Sequence, residues 1–241
     1  MKYIICIISC KKNYNRKKII LNSWLNKLIN ASLDIDYLFI YGNIDQDDKY
    51  NIIDDELHIK CDDGYDKLNE KICNLYKYLN MLNKYDKIIK CDDDNFIITR
   101  KFVQLLNKTK NINYFGPYNN KKTNNNELWK NLPCDKWYGP QYEGAINWFS
   151  KDLLKYYCEN ITQELLNRNR LEDKLFSDIV RSKVNITIYN NIKFIGFPHY
   201  INFKKVGLKN VNLNKNTFNT SIVLSNINTE KRFRICKKFD N

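Results

Sequence analysis

Three aspartates stand side by side at Asp92-Asp93-Asp94, directly after the mostly apolar run Ile88-Ile89-Lys90-Cys91. Adjacent carboxylates repel one another and are costly to hold close without a counter-charge. A divalent cation removes that cost. All-oxygen ligation suits Mg2+ or Mn2+, and the oxygens of a diphosphate complete the shell. A lone acidic triplet on a loop is more often a solvated turn. Its place at the end of a buried strand favours the metal–diphosphate reading, because open α/β sheets bind ligands beyond the carboxyl ends of their strands. A second acidic pair, Asp62-Asp63, follows a shorter run, and there the solvated-turn reading is preferred. Glu172-Asp173 opens a helical stretch. A carboxylate there fits either a general base or an ordinary first-turn acid stabilised by the helix N-terminus. Arg16 lies among Lys11, Lys12, Lys17 and Lys18. That cluster is either a solvated charge run or, because it follows the first strand, an anion site.

The elements that must position these residues follow from periodicity. Residues 2–9 are a continuous apolar run, the pattern of a central strand. Ile20, Trp24, Leu25 and Leu28 are spaced for one face of a helix over 17–30. Strands are predicted over 36–41, 57–61 and 86–91, and Leu68, Ile72, Leu75, Leu79 and Leu82 mark a helix over 65–83. Further helices are predicted over 99–108, 150–158, 161–168 and 172–183, with Ser150 as a cap. Strands are expected near 185–189 and 192–197. The Asn/Lys-rich stretch 119–131 reads as a loop, and the tail from about 205 is basic and weakly patterned. Strand and helix alternate, which argues for a layered α/β domain with a mainly parallel first half.

Composition narrows the class. The chain has 241 residues, 43% apolar and 28% charged, which fits one large globular α/β domain or at most two small ones and excludes a disordered chain. Net charge is +13, yet the lysines are spread along the chain beside abundant Asn and Ile. That is the mark of AT-rich coding rather than of one polyanion-binding block. Nucleic-acid binding, or metal-dependent phosphoryl transfer, is the alternative class; no specific nucleic-acid partner is expected. The opening MKYIICIISC is too short to span a membrane and lacks a small-residue cleavage pattern. No transmembrane segment is expected. Eight cysteines without a CxxC pair, and only two histidines, argue against structural zinc and for reduced thiols.

Five segments in order resemble the inverting β-1,3-glycosyltransferases of the galactosyltransferase, N-acetylglucosaminyltransferase and Fringe groups. They are Ser9 with Arg16-Lys17-Lys18-Ile19-Ile20-Leu21-Asn22-Ser23-Trp24; Asp62-Asp63-Gly64-Tyr65-Asp66-Lys67-Leu68 with Lys71; Lys90-Cys91-Asp92-Asp93-Asp94-Asn95-Phe96; Tyr142-Glu143-Gly144-Ala145 with Ser150-Lys151-Asp152-Leu153; and Leu171-Glu172-Asp173. The resemblance implies a GT-A-type fold, a single Rossmann-like mixed sheet flanked by helices. The catalytic domain would cover 1–204 and a basic C-terminal tail 205–241, packing on the domain or extending from it.

The resemblance also implies a UDP-sugar donor, a glycan or glycoconjugate acceptor, a bound Mn2+ or Mg2+, and a β-1,3 linkage. Asp94 would ligate the metal, with Asp92 and His199 as further ligands. Asp92 and Asp93 would hold ribose, sugar or metal-bound water, and Arg16 and Lys71 the nucleotide. Asp173 would be the general base, supported by Glu172. Tyr142, Gly144 and Ala145 would line the acceptor side. Trp137, Tyr138, Tyr142 and Trp148 read either as aromatics that stack on sugar rings there or, at this density, as core. His199 otherwise reads as a structural histidine. Two departures stand out. Leu21 replaces a second arginine common in the family, and Gly144-Ala145 replaces Gly-Gly, which leaves acceptor identity open. The family's animal members are membrane-anchored and disulfide-bonded. This chain shows neither feature, so the expectation is a cytoplasmic enzyme, in host cytoplasm or virion-associated if viral.

Overall fold

Tyr3, Ile5 and Ile7 point to one face of the first strand and Ile4, Cys6 and Ile8 to the other, and both sets are buried. A strand covered on both faces belongs in the middle of a sheet. The computed structural model places it there. It describes residues 1–31, 33–116, 118–119, 141–142, 145–168, 171–180, 183, 195–196, 222–224, 227 and 230–240.

The strands among these residues are β1 (Lys2–Ile8), β2 (Asp34–Gly42), β3 (Tyr50–Ile53), β4 (Glu56–Ile59), β5 (Lys87–Asp92), β6 (Phe96–Ile97), β7 (Tyr114–Phe115), β8 (Tyr118–Asn119), β9 (Gln141–Tyr142), β10 (Ile146–Ser150), β11 (Ile195–Gly196) and β12 (Val223–Leu224). Seven form the main sheet in the order β3-β4-β2-β1-β5-β10-β7. Its centre is parallel, since β1 pairs with β2 and β5, and β2 with β4. Its margins are antiparallel, through β3 on one side and β10 and β7 on the other. The expected mixed sheet flanked by helices is what the chain builds.

The helices are α1 (Asn15–Ile20), α2 (Asn26–Ile29), α3 (Leu68–Leu82), α4 (Thr99–Lys108), α5 (Lys151–Asn160), α6 (Gln163–Arg168), α7 (Glu172–Val180) and α8 (Glu230–Phe239). A π-helical turn, Leu21–Leu25, joins α1 to α2. Against one face of the sheet lie Trp24, Leu25, Leu28, Phe102, Phe233 and Cys236; against the other lie Ile72, Leu75, Leu79, Tyr157, Leu175 and Phe176. Burying each such side chain contributes about 1.5–3 kcal/mol. Ser150 caps α5 as expected, accepting from the Leu153 amide at 3.2 Å.

Several expectations are corrected. The helix expected over 17–30 is broken by the π turn. The strand expected over 57–61 ends at Ile59 and is paired into a hairpin whose turn holds Asp54 at φ 54°. Residues 146–150, for which no strand is expected, form a core strand, β10, buried on both faces. Of the strand expected near 192–197, residues 195–196 are described; they form β11, which joins β12 and β6 in a small separate sheet. The weakly patterned tail supplies β12 and α8, with Phe233 and Cys236 buried against the α1–α2 side. The expected strand at 185–189 and most of the loop at 119–131 lie outside the described residues. The seven described cysteines are unbridged. No helix among the described residues is long and apolar enough to cross a membrane.

Candidate active site

β1 and β5 lie side by side in parallel with Ile8 opposite Asp92, so the residues that follow each strand meet at one end of the sheet. There the Asp93 amide donates to the Ile8 carbonyl at 3.1 Å. The Asp93 carboxylate is buried. One oxygen accepts from Ser9 Oγ at 2.7 Å, and the other is paired with the Arg16 guanidinium. Arg16 reaches this point because α1 begins just after β1 and is seated on the sheet by its own polar contacts. Lys17 pairs with Asp55 and Glu56, and Tyr14 Oη donates to Glu56 Oε1 at 2.8 Å. The basic run therefore divides. Lys11, Lys12 and Lys18 are exposed, while Arg16 and Lys17 are half-buried and matched to acids.

Asp63 corrects the solvated-turn reading of Asp62-Asp63. Its carboxylate accepts from the Gly42 amide at 2.7 Å, the Lys11 amide at 2.6 Å and Lys71 Nζ at 2.8 Å. Only Asp62 is a solvated turn residue, bonded to the Gly64 amide at 2.6 Å. Lys71 is buried on α3 and also donates to the Ser9 carbonyl at 2.8 Å. Asp63 thus ties together the ends of β1 and β2 and the start of α3. A Cβ on Gly42 would lie 2.8 Å from the Asp63 Cα, which is why glycine stands there. The sequence held one signal for this hub. A lysine falls beside Leu68, Ile72 and Leu75 on an apolar helix face, where it needs an acidic partner.

Beyond this cradle lies a denser acidic group. Lys90 on β5 is 1% exposed; its ammonium donates to Asp92 Oδ1 at 3.0 Å and to Glu172 Oε1 at 3.1 Å. Burial would lower its pKa, but the charges of Asp92 and Glu172 outweigh burial and hold it well above the ordinary value. Crowding by protein, then the charges of Glu172 and Asp94, push the Asp92 carboxyl up to about 7 against the pull of Lys90. Its side chain still keeps 36% of its surface, leaving a face open to a ligand. Asp94 is raised by burial first and by Asp93 second, with Arg16 opposing. Asp173, at the head of α7, is raised by burial and then by Glu172; Lys90 and the Lys174 amide, which donates to its Oδ1 at 2.9 Å, act the other way. Glu172 and Asp94 therefore press on Asp92, Asp93 on Asp94, and Glu172 on Asp173.

The backbone of the triplet is fixed on both sides. The Asp92 amide donates to the Ala145 carbonyl at 2.9 Å, as does Asn95 Nδ2 at 2.5 Å. Trp24 Nε1 donates to the Asn95 carbonyl at 3.0 Å, and the Ile227 amide to the Asp94 carbonyl at 2.6 Å. The structure thus gathers Arg16, Lys71, Asp92, Asp93, Asp94, Glu172, Asp173 and Ala145 at one end of the sheet. Ala145 enters through its carbonyl rather than its side chain. Tyr142 lies in β9, paired with Tyr118 of β8, and its side chain lies outside the described residues. Trp137, Gly144 and His199 also lie outside them. Among the described residues no group of three or more His, Cys, Asp or Glu side chains is arranged to hold a metal ion. Lys90 and Asp63 are the residues to which sequence reasoning gave no role in the site.

The mixed sheet thus carries its acidic residues beyond the ends of the parallel strands β1 and β5. The chain is similar in fold to the WbbM bifunctional glycosyltransferase in its apo structure, with a TM-score of 0.57 at 9% identity, covering 98% of this chain and 49% of that one. It therefore spans about half the length of that protein. The crystal structure of A197 from STIV aligns at a TM-score of 0.35 and 12% identity over 68% of this chain and 70% of that one, a likeness too loose to argue from. The galactosyltransferase family model matches residues 15–192, and the chain belongs to that family. No curated protein matches it.

Proposed function

We propose that the chain transfers a sugar from a UDP-sugar to an acceptor hydroxyl of a glycan or glycoconjugate, with inversion at the anomeric carbon and formation of a β-1,3 linkage. The observation that carries this reading is the joining of two kinds of group at one sheet edge: the Ser9–Asp93–Arg16 cradle, and the raised carboxylate Asp173 at the head of α7. Family membership supports sugar transfer.

Arg16 and Lys71 supply positive charge on the nucleotide side, with Asp93 and Asp63 holding them in place. Asp92, with an open face, and Asp94, which makes no ion pair among the described residues, present hard oxygens. One or two carboxylates with substrate phosphates are the usual holding set for Mg2+ or Mn2+, so the residues present fit such an ion even without a larger cluster. When bound, it would offset charge on the departing diphosphate. Asp173 takes the proton of the acceptor hydroxyl. The acceptor oxygen bonds to the anomeric carbon, the bond from that carbon to the diphosphate oxygen breaks, and its electron pair leaves on UDP. A carboxyl raised toward neutrality suits this task, because base catalysis is best when the pKa lies near the working pH. The seven cysteines among the described residues are unbridged, in keeping with a reducing compartment such as the cytoplasm.

The test is UDP release from a panel of nucleotide sugars with Mn2+, with and without chelator. Release is expected for at least one donor and is expected to fall by about 10²-fold or more in Asp94→Ala. No release from any donor, together with no thermal shift on adding UDP and Mn2+, would overturn the reading.

A further inference from the structure

Lys90 occupies a place where a lysine is costly. It is 1% exposed on the central strand β5, with buried Ile89 and Cys91 on either side in sequence, Cys6 opposite it on β1 and Asn147 opposite it on β10. A buried ammonium is tolerated only when it is closely paired. Its two acids come from different parts of the molecule. Asp92 lies two residues on, at the strand end; Glu172 lies 82 residues on, as the first residue of α7. The apolar packing of Leu175, Phe176 and Val180 sets how far α7 stands from the sheet, but such packing is non-directional. The Lys90–Glu172 bond is directional, and it acts on the residue next to Asp173.

We propose that Lys90 is a positioning residue that couples the two ends of the site, setting the Asp92 carboxylate on the nucleotide side and the Glu172-Asp173 turn on the opposite side through one shared ammonium. This rests on the transferase reading above, and it adds a stated energetic link between donor binding and the α7 acids.

The experiment is a double-mutant cycle on the whole chain, with Lys90→Met, Glu172→Gln and the pair. Two quantities are read: UDP affinity in the presence of Mn2+ by calorimetry, and kcat at saturating donor. Groups coupled in one network do not act additively, so the effect of Glu172→Gln on UDP affinity is expected to differ by about fivefold between the wild-type chain and the Lys90→Met variant. Misplacement of this kind also predicts a kcat about 10²-fold lower in Lys90→Met, beyond any change in donor affinity. Effects that simply add, with kcat unchanged at saturation, would show a plain structural ion pair and overturn the proposal. Should Lys90→Met fail to fold, the cycle is closed with Asp92→Asn and Glu172→Gln, the two acids that Lys90 joins, and additivity there overturns it equally. A wild-type chain that binds no UDP and transfers no sugar removes the transferase reading and this proposal together. A wild-type chain that binds and transfers, but shows no coupling, removes this proposal alone.

Discussion

The cradle around Asp93 and the acid group around Lys90 are neighbours built on opposite principles. In the cradle, each carboxylate meets donors. Asp93 has Ser9 and Arg16, and Asp63 has Lys71 and two backbone amides. Around Lys90, Asp92, Asp94 and Asp173 are all held above their ordinary pKa, by burial first and then by a neighbouring acid: Glu172 for Asp92 and Asp173, and Asp93 for Asp94. The first region is complete as folded. The second carries charge that folding leaves poorly compensated, and a proton or a cation would relieve it. Matched groups give rigidity; mismatched ones give reactivity, at some expense in stability.

The contrast is sharpest at Asp173, which belongs to the mismatched region. Asp173→Asn is expected to lower sugar transfer by about 10²–10⁴-fold, the usual contribution of a positioned general base, measured as kcat with saturating donor and acceptor. An unchanged kcat would break the comparison at its most important point. In the matched region the large effect should fall on stability. Asp93→Ala leaves Arg16 without its buried acid and Ser9 without its acceptor, and is expected to cost about 3 kcal/mol in a denaturant titration.

The same two regions should differ in sign. A carboxyl raised in the folded state binds its proton more tightly there than in the unfolded chain. The penalty for ionising it is absent below about pH 4 and grows as pH climbs toward neutrality. Asp173→Asn removes that penalty and should therefore stabilise the protein by about 1–2 kcal/mol at pH 8, after allowance for screening by water, with the gain vanishing near pH 4. Thermal melts of both proteins across that range check it, and a gain that persists at pH 4 would point to packing instead. The smallest effect is expected from Ser9→Ala, which removes one hydrogen bond to Asp93 and should cost about 1 kcal/mol with little change in pH dependence.

Much of this arrangement is legible in the residues. The apolar run of β1, the mostly apolar run of β5, and the spacing of Ile72, Leu75 and Leu79 on α3 give the central strands and a covering helix because periodicity records burial directly. The acid triplet at the end of β5 is legible for the same reason. What sequence does not carry is partnership. Lys90 looks like one more lysine in a lysine-rich chain until topology brings α7 beside it, 82 residues away. Asp63 looks solvated until Gly42, Lys11 and Lys71 converge on it. β10 hides because Ile146, Trp148 and Phe149 are apolar on both faces, so no alternation marks the strand. The π turn hides because Leu21–Leu25 has ordinary helical composition.

That turn governs the angular phase of the first helix. A π turn holds one more residue than an α turn. Trp24 lies within it, and its indole reaches across to the Asn95 carbonyl beside the acid triplet. Arg16 lies before it and must face Asp93. Each residue of an α-helix turns the chain by about 100°. If Leu21–Leu25 were wound as regular α-helix with the same residues, each step would turn the chain farther than in the wider π turn, and Arg16 would shift in phase relative to Trp24. With the tryptophan docked, the arginine would swing away from the cradle, so the wider turn keeps the two anchors in step.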